Sequence, residues 1–381
     1  MKKSLLLVSL LSVNIFFAHA QIPIAGNVDI KAVIPAKTEF KLLNALDTLL
    51  IHASAGNTRI SEVGSPDAAL SLDMFNTLKG IENNEKEKDP NYYKPQLVNL
   101  YPIAANRYMV SIAYLGHDSD AASLRTIVDL IADMNNGQVT FSIPLDYLTR
   151  NWKISRIGLI TYRYDDTFNR TRAVQFDKNN IRIATTLGLQ PEHFDFYLVD
   201  NYQDIMPLLG FQYDSESAGN VTEGYGPGDG VIFSIMHNED FSHDVFHYYA
   251  AKIRKHERNS AAEEGVAYSW GNAYYTDDHG EMISQKQLVT KLKAYLLLHP
   301  QTSLFDLFSK GPIIFGDQTK VRSLLSSLIC DEVERRGGIA AIKELIDCGR
   351  GDDNYFKIVN NFIGINAANF DTTVQELLEK Y

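Results

Sequence analysis

His243 and His247 stand four residues apart in His243-Asp244-Val245-Phe246-His247, and Glu263-Glu264-Gly265-Val266-Ala267 follows shortly after. On an α-helix, residues four apart differ by about 40° in azimuth, so both imidazoles leave the same face. Over residues 242–254 that face also carries Phe246, Ala250 and Ile253. A face that turns imidazoles and apolar groups the same way buries the imidazoles, and burial without partners is costly. The fold must therefore supply partners. They can be hydrogen-bonding neighbours in an ordinary core, or a metal ion completed by a carboxylate from a second helix. In the second case the two histidines and that carboxylate would be three protein ligands, with a further position left for water.

The ligand types point to zinc, and the spacing approaches the H-E-x-x-H pattern, in which the glutamate is the general base. Here Asp244 stands at that position. Ten histidines in 381 residues give few H-x-x-x-H pairs by chance, and an acid after the first makes them rarer still.

The chain begins with Lys2-Lys3, runs apolar from Leu5 to Phe17 and reaches Ala18-His19-Ala20 before Gln21. A basic start, a short apolar core and an A-x-A end describe a cleavable secretory signal peptide over residues 1–20. The expectation is an exported protein, periplasmic or secreted, with no transmembrane segment in the mature chain. The 36 basic and 47 acidic residues give a net charge of −11, and loss of Lys2 and Lys3 brings it to −13. That balance argues against nucleic acid as a partner. Cys330 and Cys348 are the only cysteines. In an exported chain they can form one disulfide, or stand as two buried thiols.

About 360 mature residues suggest two domains. Residues 38–52 carry a helical stripe that includes Phe40, Leu42, Leu46, Leu49 and Leu50. Strand-like segments follow at 96–101, 107–115, 138–143 and 154–164. Between them, 121–134 places Leu124, Ile127, Val128, Leu130 and Ile131 at helical spacing, with Asn135-Asn136-Gly137 as its end. The expected class is α+β, with one domain over 21–165 and a second over 166–381. In the second, 168–187 reads as a helix, 194–199 and 231–235 as strands, and 286–298, 318–335, 339–347 and 374–381 as helices. The glycine-rich stretch 224–230 precedes a strand, so it implies a flexible lip and no phosphate-binding turn.

H-x-x-x-H on one helix and E-G-x-A on the next resemble the gluzincin metallopeptidases, the group containing thermolysin and the zinc aminopeptidases. The resemblance covers roughly residues 166–381. It implies that His243, His247 and Glu264 bind Zn2+, with Glu263 as the fallback third ligand if the helix phase differs by one residue, and that Asp244 activates the water. It implies that 231–235 is the edge strand along which an extended substrate lies, and that the helical tail around 335–346 closes the cleft. Tyr268, Tyr274, Tyr275 and His279 are the candidates for stabilising an oxyanion, and Asp240 or Glu239 for orienting the histidines. The first domain loosely resembles NTF2-like domains, through its element order and the stretch 144–152, and so reads as a structural or docking module.

Two functions follow from this reading. One is an exported zinc peptidase that hydrolyses peptide bonds in a peptide or protein substrate through a metal-activated water. The other is a catalytically inactive zincin-fold protein that binds a peptide or an envelope partner, because aspartate is one methylene shorter than the usual glutamate. The oligomeric state and the substrate are not legible in the chain.

Overall fold

The computed structural model describes residues 34–64, 67–117, 121–216, 225–228, 230–234, 236–277, 279–314 and 320–381. The expected leader lies outside the described residues. Among them no helix is long and apolar enough to cross a membrane. The class is α+β, and the chain divides into two compact units, residues 1–142 and 143–381.

The first unit contains α1 (Ala36–Ser54), α2 (Ala68–Thr77) and four strands, β1 (Lys94–Ala104), β2 (Arg107–His117), β3 (Ala122–Asn135) and β4 (Gln138–Ser142). The strands pair antiparallel in the order β1-β2-β3-β4. The stripe of α1 buries Leu42, Leu46, Leu49 and Leu50, while Phe40 stays exposed.

The expected helix over 121–134 is strand β3. Its apolar residues satisfy helical spacing, but Thr126, Val128, Leu130 and Ala132 also alternate, and all four are fully buried. β-branched side chains favour the pleated surface, and β2 offers a partner along the whole length of β3. Asn136-Gly137, expected to end a helix, is instead the tight turn from β3 to β4. Both residues have positive φ, 52° and 83°, as the favoured two-residue hairpin turn requires.

The second unit begins with α3 (Leu145–Leu148), β5 (Lys153–Ile157), β6 (Ile160–Tyr164), α4 (Arg170–Thr186), β7 (Phe194–Leu198), α5 (Tyr202–Leu208) and β8 (Phe211–Asp214). It continues through β9 (Tyr225–Gly228), β10 (Val231–Ser234), α6 (Ser242–Ile253), α7 (Ser260–Gly271), α8 (Gln285–Leu298) and α9 (Leu304–Lys310). The chain closes with α10 (Val321–Ile346), α11 (Asp352–Ile363) and α12 (Phe370–Lys380). The break therefore precedes the boundary expected at 165. The reason is pairing: β5 and β6 form a hairpin, and β6 runs parallel to β7 in register, Ile160 opposite Phe194. The stretch 144–152, which carried the NTF2-like resemblance, falls in this second unit.

The sheet of the second unit has the order β5-β6-β7-β10-β9. Strands β6, β7 and β10 are parallel, and β5 and β9 run antiparallel at the two edges. The expectation that 231–235 forms the edge strand is thus corrected. Strand β10 is paired on both sides, and the edge is β9, drawn from the glycine-rich stretch that had been read as a lip.

Helix α4 crosses from β6 to β7 and buries Ala173, Phe176, Ile183 and Ala184 against the sheet. One apolar core joins it to α6, α7 and the later helices. The stripes 318–335 and 339–347 become α10, broken at Gly338, whose φ of 62° and ψ of −163° lie outside the helical region. Cys330 is buried, Cys348 is half-buried, and both are free thiols.

Candidate metal centre

A buried polar turn sets the start of α6. The Ser234 hydroxyl donates to the Asn238 carbonyl, and the Asn238 side-chain carbonyl accepts from the Asp240 backbone N–H. The Asp240 carboxylate in turn accepts from the Ser242 backbone N–H, at 2.9 Å, and from its hydroxyl. Glu239 is fully buried and pairs with Arg172 at 2.9 Å. Neither acid orients a histidine, contrary to expectation. Asp240 satisfies free N–H and O–H donors at the helix start, and Glu239 anchors the approach to it on α4.

Helix α7 is capped by Asn259, whose side chain accepts from the Ala262 backbone N–H. Two glycines let α7 approach its neighbours. A Cβ on Gly265 would stand 2.7 Å from Cys330 Sγ and 2.9 Å from the Ser326 backbone on α10. One on Gly271 would stand 2.6 Å from the His243 backbone nitrogen on α6. Close backbone approach on both sides is what glycine permits here. The E-G of the sequence motif thus joins a ligand position to the residue that seats its helix.

Helices α6 and α7 bring His243, His247 and Glu264 together, with their ligand atoms all within 4.8 Å of one another. The two Nε2 atoms are 3.3 Å apart. Glu264 Oε1 lies 3.3 Å from His247 Nε2, and Oε2 lies 3.5 Å from His243 Nε2. This two-nitrogen, one-carboxylate group can hold a metal ion.

The opposite ring nitrogens are also held. His243 Nδ1 lies 2.9 Å from the Asn272 backbone carbonyl, and His247 Nδ1 lies 3.3 Å from Glu263 Oε2. Both partners accept only, so each Nδ1 carries the hydrogen and each Nε2 can present its lone pair to a cation. Asn272, with φ of 66°, terminates α7 and so turns its carbonyl to His243. Glu263 faces away from the ligand triangle, so the fallback ligand is instead the group that orients His247.

The electrostatics follow from burial and pairing. Burial pushes the Glu264 carboxyl up, but hydrogen bonds from His243 and His247 outweigh it and hold the pKa well below the usual range. Burial likewise raises the fully buried Glu263, and His247 and Arg254 outweigh that in turn. For His247, burial favours the neutral ring, yet Glu263 and Glu264 raise its pKa to about 9. Asp244 is half-buried, and desolvation raises its pKa against the pull of His243 and His247.

Two arginines of the stretch 252–258 point inward. Arg254 pairs with Glu263, and Arg258 reaches both Glu263 and Glu264. Of the oxyanion candidates, Tyr268 and Tyr274 pack edge-on against His243, with ring centroids 5.2 and 5.6 Å away. Tyr268 is fully buried, whereas Tyr274 keeps an accessible face. Tyr275 is buried against Tyr274, and His279 sits in an exposed turn closed by Asp277. Helix α6 also packs against β9, the last strand of its sheet among the described residues. Asn272, Glu263 and Arg258 could not be assigned from spacing, because they act through a helix end and a loop that only the fold brings back. Comparison with protein-family models, curated proteins and solved structures finds no match.

Proposed function

We propose that residues 143–381 form a gluzincin-like zinc hydrolase domain that cleaves peptide bonds, in a chain exported through its first twenty residues. The spacing of the three donors carries this reading. Around one tetrahedral ion with bonds of about 2.0–2.1 Å, donors stand about 3.3 Å apart. The two Nε2 atoms stand 3.3 Å apart, and Glu264 brings Oε1 to 3.3 Å from that of His247 and Oε2 to 3.5 Å from that of His243. Two imidazoles and a single carboxylate suit zinc better than calcium or magnesium, which take mostly oxygen.

A bound zinc ion would supply Lewis acidity, polarising the scissile carbonyl and making water acidic enough to attack near neutral pH. The remaining work belongs to the chain. Asn272 and Glu263 hold the rings of His243 and His247 in the ligating orientation. Asp244 accepts the proton of the attacking water as the carbon–oxygen bond forms. It returns that proton to the amine as the carbon–nitrogen bond breaks. Its raised pKa favours such two-way transfer. Tyr274 donates from its accessible face to the oxyanion. Strand β9 offers backbone groups to an extended peptide by strand addition.

The short side chain of Asp244 supports a second reading, a zincin-fold protein that binds a peptide or an envelope partner without cleaving it. Elemental analysis of purified protein and cleavage of a mixed peptide library separate the two. The hydrolase reading expects about one zinc per chain and turnover that a chelator abolishes and zinc restores. Zinc without turnover favours the binding protein, and no zinc even after its addition overturns both.

A further inference from the structure

Arg258 stands among the metal ligands yet is not one of them. Its Nη2 hydrogen-bonds Glu264 Oε1, the carboxylate oxygen that lies 3.3 Å from His247 Nε2. The same Nη2 lies 3.4 and 3.5 Å from the two ring nitrogens of His247. Its Nε lies 3.1 Å from Glu263 Oε2, the oxygen that orients His247. One guanidinium therefore bridges the ligand carboxylate and the orienting carboxylate, over the ring of the second histidine.

The two ends of this bridge are not equivalent. Glu263 is also paired with Arg254, so its charge stays compensated without Arg258. Glu264 has Arg258 as its arginine partner, beside the two histidines and the Asp244 carboxylate. The Arg258 side chain is 44 % exposed, against 1 % for Glu263, so it can swing towards solvent from its place in the loop between α6 and α7. A cation and a guanidinium that share Glu264 Oε1 and the His247 nitrogen repel each other at short range, where solvent screening is weakest.

We propose that Arg258 is a built-in competitor of the metal: it neutralises Glu264 until the ion arrives and must leave Oε1 for the ion to be held. The inference rests on the metal-centre reading above and adds a residue that sets affinity. Arg258 preserves the ligand triangle by offsetting the charge of Glu264 against Glu263, and it weakens metal binding by the work of its own displacement. The centre would then load only where the ion is abundant enough to drive the guanidinium off.

The test is zinc titration of the full chain against a chromogenic chelator, for wild type, Arg258→Gln and Arg258→Lys, with far-ultraviolet circular dichroism confirming the fold of each. Arg258→Gln is expected to bind zinc about tenfold or more tightly, because a like charge next to the ion is gone. Arg258→Lys is expected to stay within about threefold of wild type, since it retains the charge without the two-pronged bridge. If wild type binds zinc and a folded Arg258→Gln binds it equally or more weakly, the guanidinium is a support of the ligands and the proposal falls, while the metal centre stands. If neither protein binds zinc, the metal reading and the proposal fall together.

Discussion

The Asn272 carbonyl accepts the Nδ1 hydrogen of His243 at 2.9 Å, and so the end of one helix sets which nitrogen the other helix presents to the ligand triangle. His247 has the same arrangement through Glu263. The orientation of each imidazole is thus set before a ligand arrives, which lowers the ordering cost of binding.

The roles of the two neighbouring glutamates can be separated. Metal stoichiometry is expected to fall to background in His243→Ala, His247→Ala and Glu264→Ala. Glu263→Gln is expected to retain one site with affinity lower by about 10–100-fold, as for other groups that orient a ligand. Elemental analysis and chelator competition on the four variants distinguish these outcomes. Loss of metal in Glu263→Gln together with its retention in Glu264→Ala would exchange the two assignments.

Asp244 tests whether the centre turns over. Asp244→Asn keeps the shape but cannot take a proton, and peptide hydrolysis is expected to drop by about 10²–10⁴-fold with metal content unchanged. Asp244→Glu restores the longer reach of the H-E-x-x-H pattern. Wild type without turnover on diverse peptides, combined with a gain in Asp244→Glu, would establish the binding-protein reading.

Tyr274→Phe removes the hydroxyl while keeping the ring packed against His243. Loss of one oxyanion donor typically costs about 10²–10³ in kcat, and that is the expected effect, with KM and zinc content little changed. An unaltered kcat would remove Tyr274 from the reaction.

Zinc affinity should depend on pH through His247. Its pKa in the metal-free protein is raised to about 9, and a protonated ring has no lone pair to give. Below that pH the ion must displace a proton, so affinity is expected to rise by about tenfold per pH unit and to level off above about 9. Calorimetry at pH 7.5 in two buffers of different ionisation enthalpy would count the proton released. The same shift makes a stability statement for the metal-free protein. The folded pKa lies above the unfolded value of 6.5, so the stabilisation is full below pH 6.5 and is lost as pH rises through about 9. A pH-independent zinc affinity between 6.5 and 9 would contradict both.

Gly265→Ala and Gly271→Ala probe the seating of α7. Each added methyl meets backbone atoms of a packed helix at under 3 Å, and overpacking of this kind costs roughly 1–3 kcal/mol. Chemical denaturation is expected to show that loss in both variants. Zinc affinity is expected to fall with it, because displacing α7 moves Glu264 away from the histidines. A stability unchanged from wild type in Gly265→Ala would mean that α10 yields more readily than its packing suggests.

Local chemistry in the chain determined the long helix α1, the strands β1, β2, β4, β7 and β10, and the pairing of two histidines on one helical face. These are periodicity and turn effects, carried by residues a few positions apart. The same short-range rules failed at β3, where one set of apolar positions satisfies both periods and the partner strand chooses between them. They failed again at β10, because whether a strand is an edge depends on which segment pairs beside it. At the centre, spacing singled out His243 and His247, and the family resemblance pointed to Glu264 with Glu263 as the fallback. Only the tertiary structure decided that Glu264 rather than Glu263 joins the histidines in the ligand group, that Asn272 and Glu263 orient their rings, and that Arg258 reaches Glu264 Oε1. Those relationships join a helix end and a loop to α6. They exist because Gly265 and Gly271 let α7 lie close against α10 and α6, a long-range packing outcome that no local pattern encodes.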